Sequence, residues 1–290
     1  MTALDPEMAE ALAINAGLQP PGDRDRLPWD QQRQIFEATR RYWNDAPLDV
    51  AEVRNDRLFG GMAVRRYSCG AQGAPKMVYL HGGGWTLGSL DSHDNVSRSL
   101  CHHGGLDVVS LDYPLAPETT CNEMVGSIAQ AVREIAHDNA APIALTGDSA
   151  GAHLAILAAG ELSGNAPKVL FGLVSIYGAL SQADLPSMRT FGDGRYGLSA
   201  ARMALYWQAL GVSADPAAVD APLPPALVIA AECDVLRDAS LHFADARSAR
   251  GDTVELVVEP GMAHAFMGYG RHVSRVAKVS EQIGAFLRSL

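Results

Sequence analysis

The stretch TGDSAG at residues 146–151 follows a short apolar run and opens an alanine-rich segment that predicts a helix over residues 150–162. Its G-x-S-x-G spacing places glycines two positions before and two positions after Ser149. A serine on a tight turn from strand to helix needs that spacing, because larger residues would collide with the neighbouring strand and helix. A glycine-flanked turn with a helix-capping serine would also fit, but the strand before it and the helix after it favour a nucleophile whose hydroxyl stands above a sheet.

Short apolar runs alternate with helical patterns from about residue 62 onward. Runs that are buried on both faces and separated by helices indicate a mostly parallel sheet with helices on each side, so the predicted fold class is α/β. The predicted strands lie at residues 62–67, 77–80, 108–111, 143–146, 170–176, 227–231 and 254–258. Helices are predicted at residues 123–137, 150–162, 199–210 and 273–290.

Two segments depart from this alternation. Residues 1–55 carry two helical patterns and no convincing strand, the first pattern at residues 5–16 and the second starting near Asp30 as its N-cap. Polar residues, glycines and one helical pattern fill residues 181–225, an insertion typical of a lid or pocket wall. We therefore predict an N-terminal helical cap segment at 1–55 and a catalytic domain at 56–290 that carries the cap insertion.

A second glycine-rich stretch, HGGGW at residues 81–85, directly follows the predicted strand at 77–80. Three consecutive glycines cost backbone entropy and bring no packing, so they are expected where backbone N–H groups approach a ligand closely. In acyl transfer such donors stabilise the tetrahedral oxyanion together with the N–H of the residue after the nucleophile, here Ala150. A phosphate-cradling loop and a plain flexible turn are the competing interpretations, although no Lys-Ser/Thr pair follows.

The base that would activate Ser149 is predicted to be His264, which lies in a loop just after the strand at 254–258. Open α/β sheets place their sites at the carboxyl ends of parallel strands. His153 lies one helical turn beyond the serine, so we interpret it as structural.

The residue that would orient the base is predicted to follow the preceding strand, at 227–231. Asp234 is the choice, with Glu232 and Asp238 as alternatives. Ser149 would then attack a carbonyl carbon, His264 would take its proton, and Asp234 would fix the tautomer of the imidazole.

Composition excludes several classes of function. The 23 Lys and Arg residues against 33 Asp and Glu residues give a net charge of −10, with no basic cluster to bind nucleic acid or an anionic membrane. No apolar stretch reaches the ~18 residues that span a bilayer, and the N-terminus lacks the pattern of a signal peptide, so we expect a cytoplasmic protein. The four cysteines form no C-x-x-C pair, and adjacent residues such as Cys101, His102 and His103 rarely face one ion; no metal or cofactor is expected.

Five motifs together resemble the bacterial hormone-sensitive-lipase-like family of carboxylesterases, within the α/β-hydrolase superfamily. They are HGGGW at residues 81–85, DYPLAPE at 112–118, GDSAG at 147–151, DVLRD at 234–238 and GMAHAF at 261–266. The resemblance covers most of the chain from about residue 60, and the combination is far more specific than any one motif.

The resemblance implies an α/β-hydrolase fold with a helical cap over the pocket, and oxyanion donors at the N–H groups of Gly83, Gly84 and Ala150. It implies a small-molecule ester as substrate, with a short to medium acyl chain, and no cofactor. Three positions depart from the family pattern: Pro114 stands where arginine is usual, and alanine replaces a common glycine at 152 and 265. None of the three is a reacting group, so these departures concern local packing and pocket shape.

The predicted function is a serine carboxylesterase that works through an acyl-enzyme. An arylformamidase or amidase with the same triad is the alternative, because the tryptophan form of the HGGG motif is also similar to that of arylformamidases. A non-catalytic binding protein on a hydrolase scaffold is disfavoured, since all three triad residues are present. Homodimerisation through a sheet edge or the terminal helix is left open.

Aromatic residues predicted as pocket walls are Trp29, Phe36, Trp43, Trp85, Phe191, Tyr196 and Trp207, of which Trp85, Tyr196 and Trp207 are predicted to bind substrate.

Overall fold

A twisted sheet forms the centre of the computed structural model, which describes residues 3–139, 141–165 and 169–290. Within those ranges the sheet has eight strands: β1 (Glu52–Arg57), β2 (Ala63–Ser68), β3 (Lys76–Leu80), β4 (Asp107–Leu111), β5 (Ile143–Asp148), β6 (Leu170–Ile176), β7 (Ala226–Cys233) and β8 (Val254–Ala263). Their order is β1-β2-β4-β3-β5-β6-β7-β8. The pairs β1–β2 and β2–β4 are antiparallel and the other five are parallel. The predicted mostly parallel α/β sheet is therefore confirmed.

Helices pack on both faces of this sheet. In the described ranges they are α1 (Pro6–Gly17), α2 (Trp29–Asn44), α3 (Asp94–His102), α4 (Cys121–Asn139), α5 (Ala150–Asn165), α6 (Pro186–Phe191), α7 (Ala200–Leu210), α8 (Arg237–Ala249) and α9 (Arg275–Ser289). The side chains of β3 show how the two layers form: Val78 and Leu80 belong to the core under α4 and α5, whereas Met77 and Tyr79 belong to the core under α3 and α9. This alternation follows from the two-residue period of a strand.

All seven predicted strands are present, with ends that shift by a few residues. The prediction missed β1, and the boundary set at residue 55 falls inside that strand. Its sequence EVRNDR is polar and largely exposed because β1 is an antiparallel edge strand, so it carries no apolar run to detect. The helix predicted to start at Asp30 starts at Trp29, with Pro28 in the N-cap position and no side-chain cap. No range was predicted for α3, α6 or α8, which have nine, six and thirteen residues.

The N-terminal helices are attached to the sheet domain by specific contacts. The N–H of Asp5, just before α1, donates to the carbonyl of Gly261 at 3.0 Å, and the carboxylate of Glu7 accepts from the hydroxyl and the N–H of Ser274 at 2.7 Å each. These contacts hold α1 against the end of β8.

The helix α2 is held through Arg33. Its Nε donates to the carbonyl of Thr86 at 2.8 Å, one Nη donates to the carbonyl of Ala116 at 2.9 Å, and both Nη atoms donate to the carboxylate of Glu118. Pro114 stands in this loop where arginine is usual in the family, and the guanidinium of Arg33 on α2 binds the same loop.

No helix in the described part of the chain combines the length and apolarity needed to cross a membrane.

Candidate active site

Ser149 stands on a sharp turn between β5, which ends at Asp148, and α5, which begins at Ala150. Its φ is +53°, a left-handed conformation that costs an L-residue on the order of 1–2 kcal/mol. The flanking glycines are required by space: a Cβ on Gly147 would lie 2.2 Å from the backbone of Gly151, and one on Gly151 would lie 2.0 Å from the carbonyl of Leu80. The turn predicted from the G-x-S-x-G spacing is therefore present, with the serine side chain facing a cavity.

Two hydrogen bonds connect Ser149 to the predicted base and to the predicted orienting residue. The Ser149 hydroxyl donates to Nε2 of His264 at 3.0 Å, and Nδ1–H of His264 donates to Oδ2 of Asp234 at 2.8 Å. Because the carboxylate fixes the proton on Nδ1, the Nε2 lone pair faces the serine. Asp234 is 1% exposed, and its other oxygen accepts from the N–H of Leu236 at 3.0 Å. This chain of hydrogen bonds can move a proton away from the serine hydroxyl.

The sheet brings these side chains together. Ser149, Asp234 and His264 each come directly after a parallel strand, namely β5, β7 and β8. The sequence prediction ended the last strand at residue 258 and placed His264 in a loop, but β8 continues to Ala263. An irregular register between β7 and β8 lets this strand pass through Pro260 and Gly261.

The rival carboxylates are engaged elsewhere. Glu232 accepts from the N–H of Gly261 at 2.8 Å, and Asp238 accepts from the N–H of Ser187 at 2.8 Å and from Nε of Arg237 at 2.8 Å. Neither forms a hydrogen bond with the imidazole within the described ranges, so Asp234 holds that position.

The HGGGW loop begins directly after β3, and the N–H of its Gly82 donates to the side chain of Asp148, the residue before Ser149. Gly83 and Gly84 line the cavity with φ values of +124° and +60°, and neither N–H donates to another atom of the described chain. Ala150 is fully buried and is the first residue of α5, where the N–H has no intrahelical acceptor. The three predicted donors are thus unused by the fold. There is no room for a side chain at residue 84, because a Cβ added to Gly84 would lie 2.3 Å from Cγ of Tyr206.

Asp148 connects the glycine loop to the serine turn, a role the sequence reasoning did not assign. Its Oδ1 accepts from the N–H of Gly82 at 2.7 Å and from the hydroxyl of Tyr79 at 2.6 Å. Burial raises the pKa of this carboxyl, against the lowering effect of the two donors. Its place between Gly147 and Ser149 in the motif was the available signal.

A cavity of about 140 Å³ adjoins Ser149 and His264. The walls come from the sheet domain, from the N-terminal helices and from the segment before and within α7. Cap-side residues that line it include Asn15, Gln19, Arg24, Gln32, Ile35, Phe36, Thr39, Arg40, Leu198, Arg202, Met203 and Tyr206.

The three predicted substrate-binding aromatics do not line this cavity. Trp85 is fully buried, its indole N–H donates to Nδ1 of His153 at 3.2 Å, and its ring lies 4.2 Å from that of Trp207. Tyr196 packs edge-on against Phe191 instead. These side chains support the wall from behind, and of the seven aromatic candidates only Phe36 lines the cavity in the described chain.

The wall contains residues that the sequence reasoning missed. Tyr206 packs on Gly84, and Tyr177 lies edge-on to His264 with ring centroids 5.1 Å apart. Arg40 and Arg202 are buried cations with 6% exposure each. No sequence signal marked them, since each lies on a helix or loop whose facing depends on the whole fold.

The described residues contain no group of three or more His, Cys, Asp or Glu side chains placed to hold a metal ion. All four cysteines are free thiols, and three of them are buried.

The fold and the arrangement at Ser149 define the class of protein. A family model described as the alpha/beta hydrolase fold matches residues 77–268, so the chain belongs to the α/β-hydrolases. Within that class it belongs to the bacterial hormone-sensitive-lipase-like family of carboxylesterases.

Several similar proteins carry the name esterase. An acetyl esterase of Salmonella agona is 30% identical, covering 98% of this chain and 94% of the relative. Among solved structures, an esterase of Pyrobaculum calidifontis has a TM-score of 0.88 at 28% identity and covers 99% of this chain and 98% of its own. A thermostable carboxylesterase cloned from a metagenomic library has a TM-score of 0.81 at 29% identity, covering 91% of this chain and 97% of its own.

Proposed function

We propose that this protein is a serine carboxylesterase that hydrolyses small esters through an acyl-enzyme, with Ser149 as nucleophile, His264 as base and Asp234 as the residue that orients the base. The observation that carries the proposal is the hydrogen-bond chain at 3.0 and 2.8 Å that joins the three side chains. The esterase names of the similar proteins support the same reaction class.

The first half of the reaction forms the acyl-enzyme. Ser149 Oγ attacks the ester carbonyl carbon while His264 Nε2 takes the hydroxyl proton, and Asp234 stabilises the imidazolium. The N–H groups of Gly83, Gly84 and Ala150 stabilise the oxyanion of the tetrahedral intermediate. The bond from carbon to the alkoxy oxygen then breaks, and the imidazolium gives its proton to the leaving alcohol.

Water completes the cycle by the same path in reverse. It attacks the acyl carbon, gives a proton to His264, and the bond to Ser149 Oγ breaks as the serine regains its proton. The products are one carboxylic acid and one alcohol for each ester and water consumed.

The size of the cavity favours short acyl groups. Its volume of about 140 Å³ is close to the ~150 Å³ cavity that accepts one benzene molecule. An acyl chain of two to four carbons fits that space, whereas a long chain exceeds it. We also propose that residues 1–55 and the insertion at about 181–225 act together as the cap, because both contribute side chains to the wall.

A series of p-nitrophenyl esters with acyl chains of two to sixteen carbons tests this function. We expect turnover to peak at two to four carbons, and Ser149→Ala to lower kcat by at least ~10⁴ while the fold survives. Ser127→Ala is the matched control, since that hydroxyl lies on α4 and donates to the carbonyl of Met124.

Residual activity of Ser149→Ala within tenfold of wild type would exclude this serine as the nucleophile. If the wild type hydrolyses none of the esters, N-formyl aryl amides are the next substrates. Turnover of those amides alone would assign the same triad to arylformamidase chemistry.

A further inference from the structure

Arg40 is a buried cation that no carboxylate of the described chain contacts directly. It is 6% exposed, its Nε donates to the carbonyl of Ser92 at 2.9 Å, and Nη2 donates to Oδ1 of Asn95 at 3.2 Å. Across the described ranges no carboxylate lies within ion-pairing distance of it, and Nη1 forms no hydrogen bond. A buried guanidinium has five N–H donors to satisfy and is costly to desolvate without an anion. Arg40 therefore retains unused capacity for an anionic group.

That capacity faces the catalytic centre. Arg40 lines the same cavity as Ser149 and His264. A Cβ placed on Gly268 would lie 2.5 Å from both Nη atoms of Arg40, and the N–H of Gly268 donates to the carbonyl of Ala265, the residue after the base. The guanidinium is thus packed directly against the loop that follows His264.

The carboxylate that shares this cavity already accepts two hydrogen bonds through one of its oxygens. Asp148 uses Oδ1 to hold Gly82 and Tyr79, and its pKa is raised by burial. It forms no ion pair in direct contact with Arg40, although the positive charge of Arg40 lowers the pKa of this carboxyl, so the hydrogen-bonding edge of the guanidinium is not used by Asp148.

The cap side of the cavity adds further polar groups with unused capacity. Arg202 pairs with Asp25 through Nη1, but its buried Nε has no acceptor, and Oε1 of Gln32 is buried without a donor. Gln32 is 4% exposed. With Arg24, the wall carries three guanidinium groups against the single carboxylate of Asp148. An alkyl chain would leave Nη1 of Arg40, Nε of Arg202 and Oε1 of Gln32 without hydrogen-bond partners.

We propose that the preferred substrates are small esters that carry a free carboxylate, and that Arg40 binds this carboxylate while Ser149 attacks the ester carbonyl. The inference rests on the proposed esterase function and names its substrate class. A guanidinium matches a carboxylate with two parallel hydrogen bonds, which a neutral acyl chain cannot supply. The carboxylate takes no part in bond making, so hydrolysis still consumes one ester and one water.

Two matched pairs of esters test the inference and locate the carboxylate. Monoethyl succinate against ethyl succinamate places the charge on the acyl side, and O-acetylglycolate against O-acetylglycolamide places it on the alcohol side. Each pair differs only in carboxylate against carboxamide. Measured by proton release at constant pH, kcat/KM should be at least ~10-fold higher for the charged member of one pair, which corresponds to about 1.4 kcal/mol.

The variant Arg40→Gln should reduce that charged-to-neutral ratio by at least ~10-fold, whereas Arg41→Gln, its exposed neighbour on α2, should leave it unchanged. Because Arg40 also holds the carbonyl of Ser92, a second measurement uses the wild type alone. Succinate should inhibit p-nitrophenyl acetate hydrolysis competitively at concentrations at least ~10-fold lower than succinamide does.

Equal rates for both members of both pairs, together with equal inhibition by succinate and succinamide, would overturn the inference. If Arg40→Gln folds and has the same charged-to-neutral ratio of kcat/KM as the wild type, Arg40 does not bind the substrate carboxylate. If p-nitrophenyl acetate is hydrolysed in a Ser149-dependent way, such results leave the esterase function intact. If no ester is hydrolysed at all, the esterase function fails first.

Discussion

Gly84→Ala adds one carbon at the point where the glycine loop meets the cap. The backbone at this position has a φ of +60°, and the new Cβ would lie 2.3 Å from Cγ of Tyr206 and 2.4 Å from both Cδ atoms of the ring. Carbon atoms in contact lie at roughly 3.5–4.0 Å, so the loop or the ring must move by on the order of 1 Å. The ring is held by Trp29, stacked at 6.3 Å, and by the guanidinium of Arg202 at 4.8 Å. We therefore expect the loop to move.

The size of the effect follows from the role proposed for the loop. Loss of one oxyanion donor lowers kcat by about 10²–10³, or roughly 2.7–4 kcal/mol in activation free energy. The left-handed φ costs alanine about 1–2 kcal/mol, and overpacking adds about 1–3 kcal/mol, so the free energy of unfolding should fall by about 2–5 kcal/mol. KM should change less than kcat, because the donors act mainly on the transition state.

Steady-state hydrolysis of p-nitrophenyl acetate and urea unfolding measure the two effects. Gly126→Ala is the matched control: this glycine lies in α4, and no described heavy atom lies within 4 Å of the added carbon. The control should leave kcat unchanged and stabilise the fold by about 0.5–1 kcal/mol. A folded Gly84→Ala enzyme with kcat within threefold of wild type would refute both the collision and the role of this amide.

Three further predictions concern buried polar groups. Asp234→Asn should lower kcat by about 10⁴ by disturbing the tautomer of the base, while Glu232→Gln should have little effect; the reverse ranking in ester hydrolysis would reassign the orienting residue. Asp148→Ala removes the acceptor of two buried donors, so the free energy of unfolding should fall by about 1–3 kcal/mol for each donor. Asp148→Asn keeps an acceptor oxygen, so its free energy of unfolding, measured in urea, should be close to that of the wild type. Burial lowers the pKa of His153 from 6.5 to about 3. Between those values the unfolded state binds more protons, so this group should lower the free energy of unfolding by about 2 kcal/mol from pH 7 to pH 5. His153→Gln should show a shallower decrease, and an identical pH dependence of the two proteins would contradict this interpretation.

The G-x-S-x-G motif could be read directly from the sequence because the spacing of its glycines is a steric requirement of the strand-to-helix turn. A Cβ on Gly147 would collide with Gly151 within the same turn, and one on Gly151 would collide with the carbonyl of Leu80 at the end of the adjacent strand β3. The strands were likewise predictable, since a strand buried on both faces must be continuously apolar. The polar edge strand β1 lacks this property and was missed.

The walls of the cavity were not predictable in the same way. Trp207 was chosen as a wall residue, yet its neighbour on α7, Tyr206, lines the cavity. Adjacent residues of a helix point about 100° apart, so a choice between them requires the orientation of the helix. The same rotation separates buried Arg40 from exposed Arg41 on α2. Trp85 has a left-handed φ of +62° and a fully buried ring, neither of which its neighbours in sequence reveal.

The sequence by itself determined the sheet class, the serine turn and the order of the three residues that meet there. Strand period and turn sterics act over a few residues, and parallel strands bring their carboxyl ends to one edge. The tertiary structure alone decided which side chains of α2 and α7 face Ser149, and with them the charge of the cavity. The apolar stripe of a helix marks its buried face, but packing among distant segments decides which of its polar and aromatic side chains line the cavity.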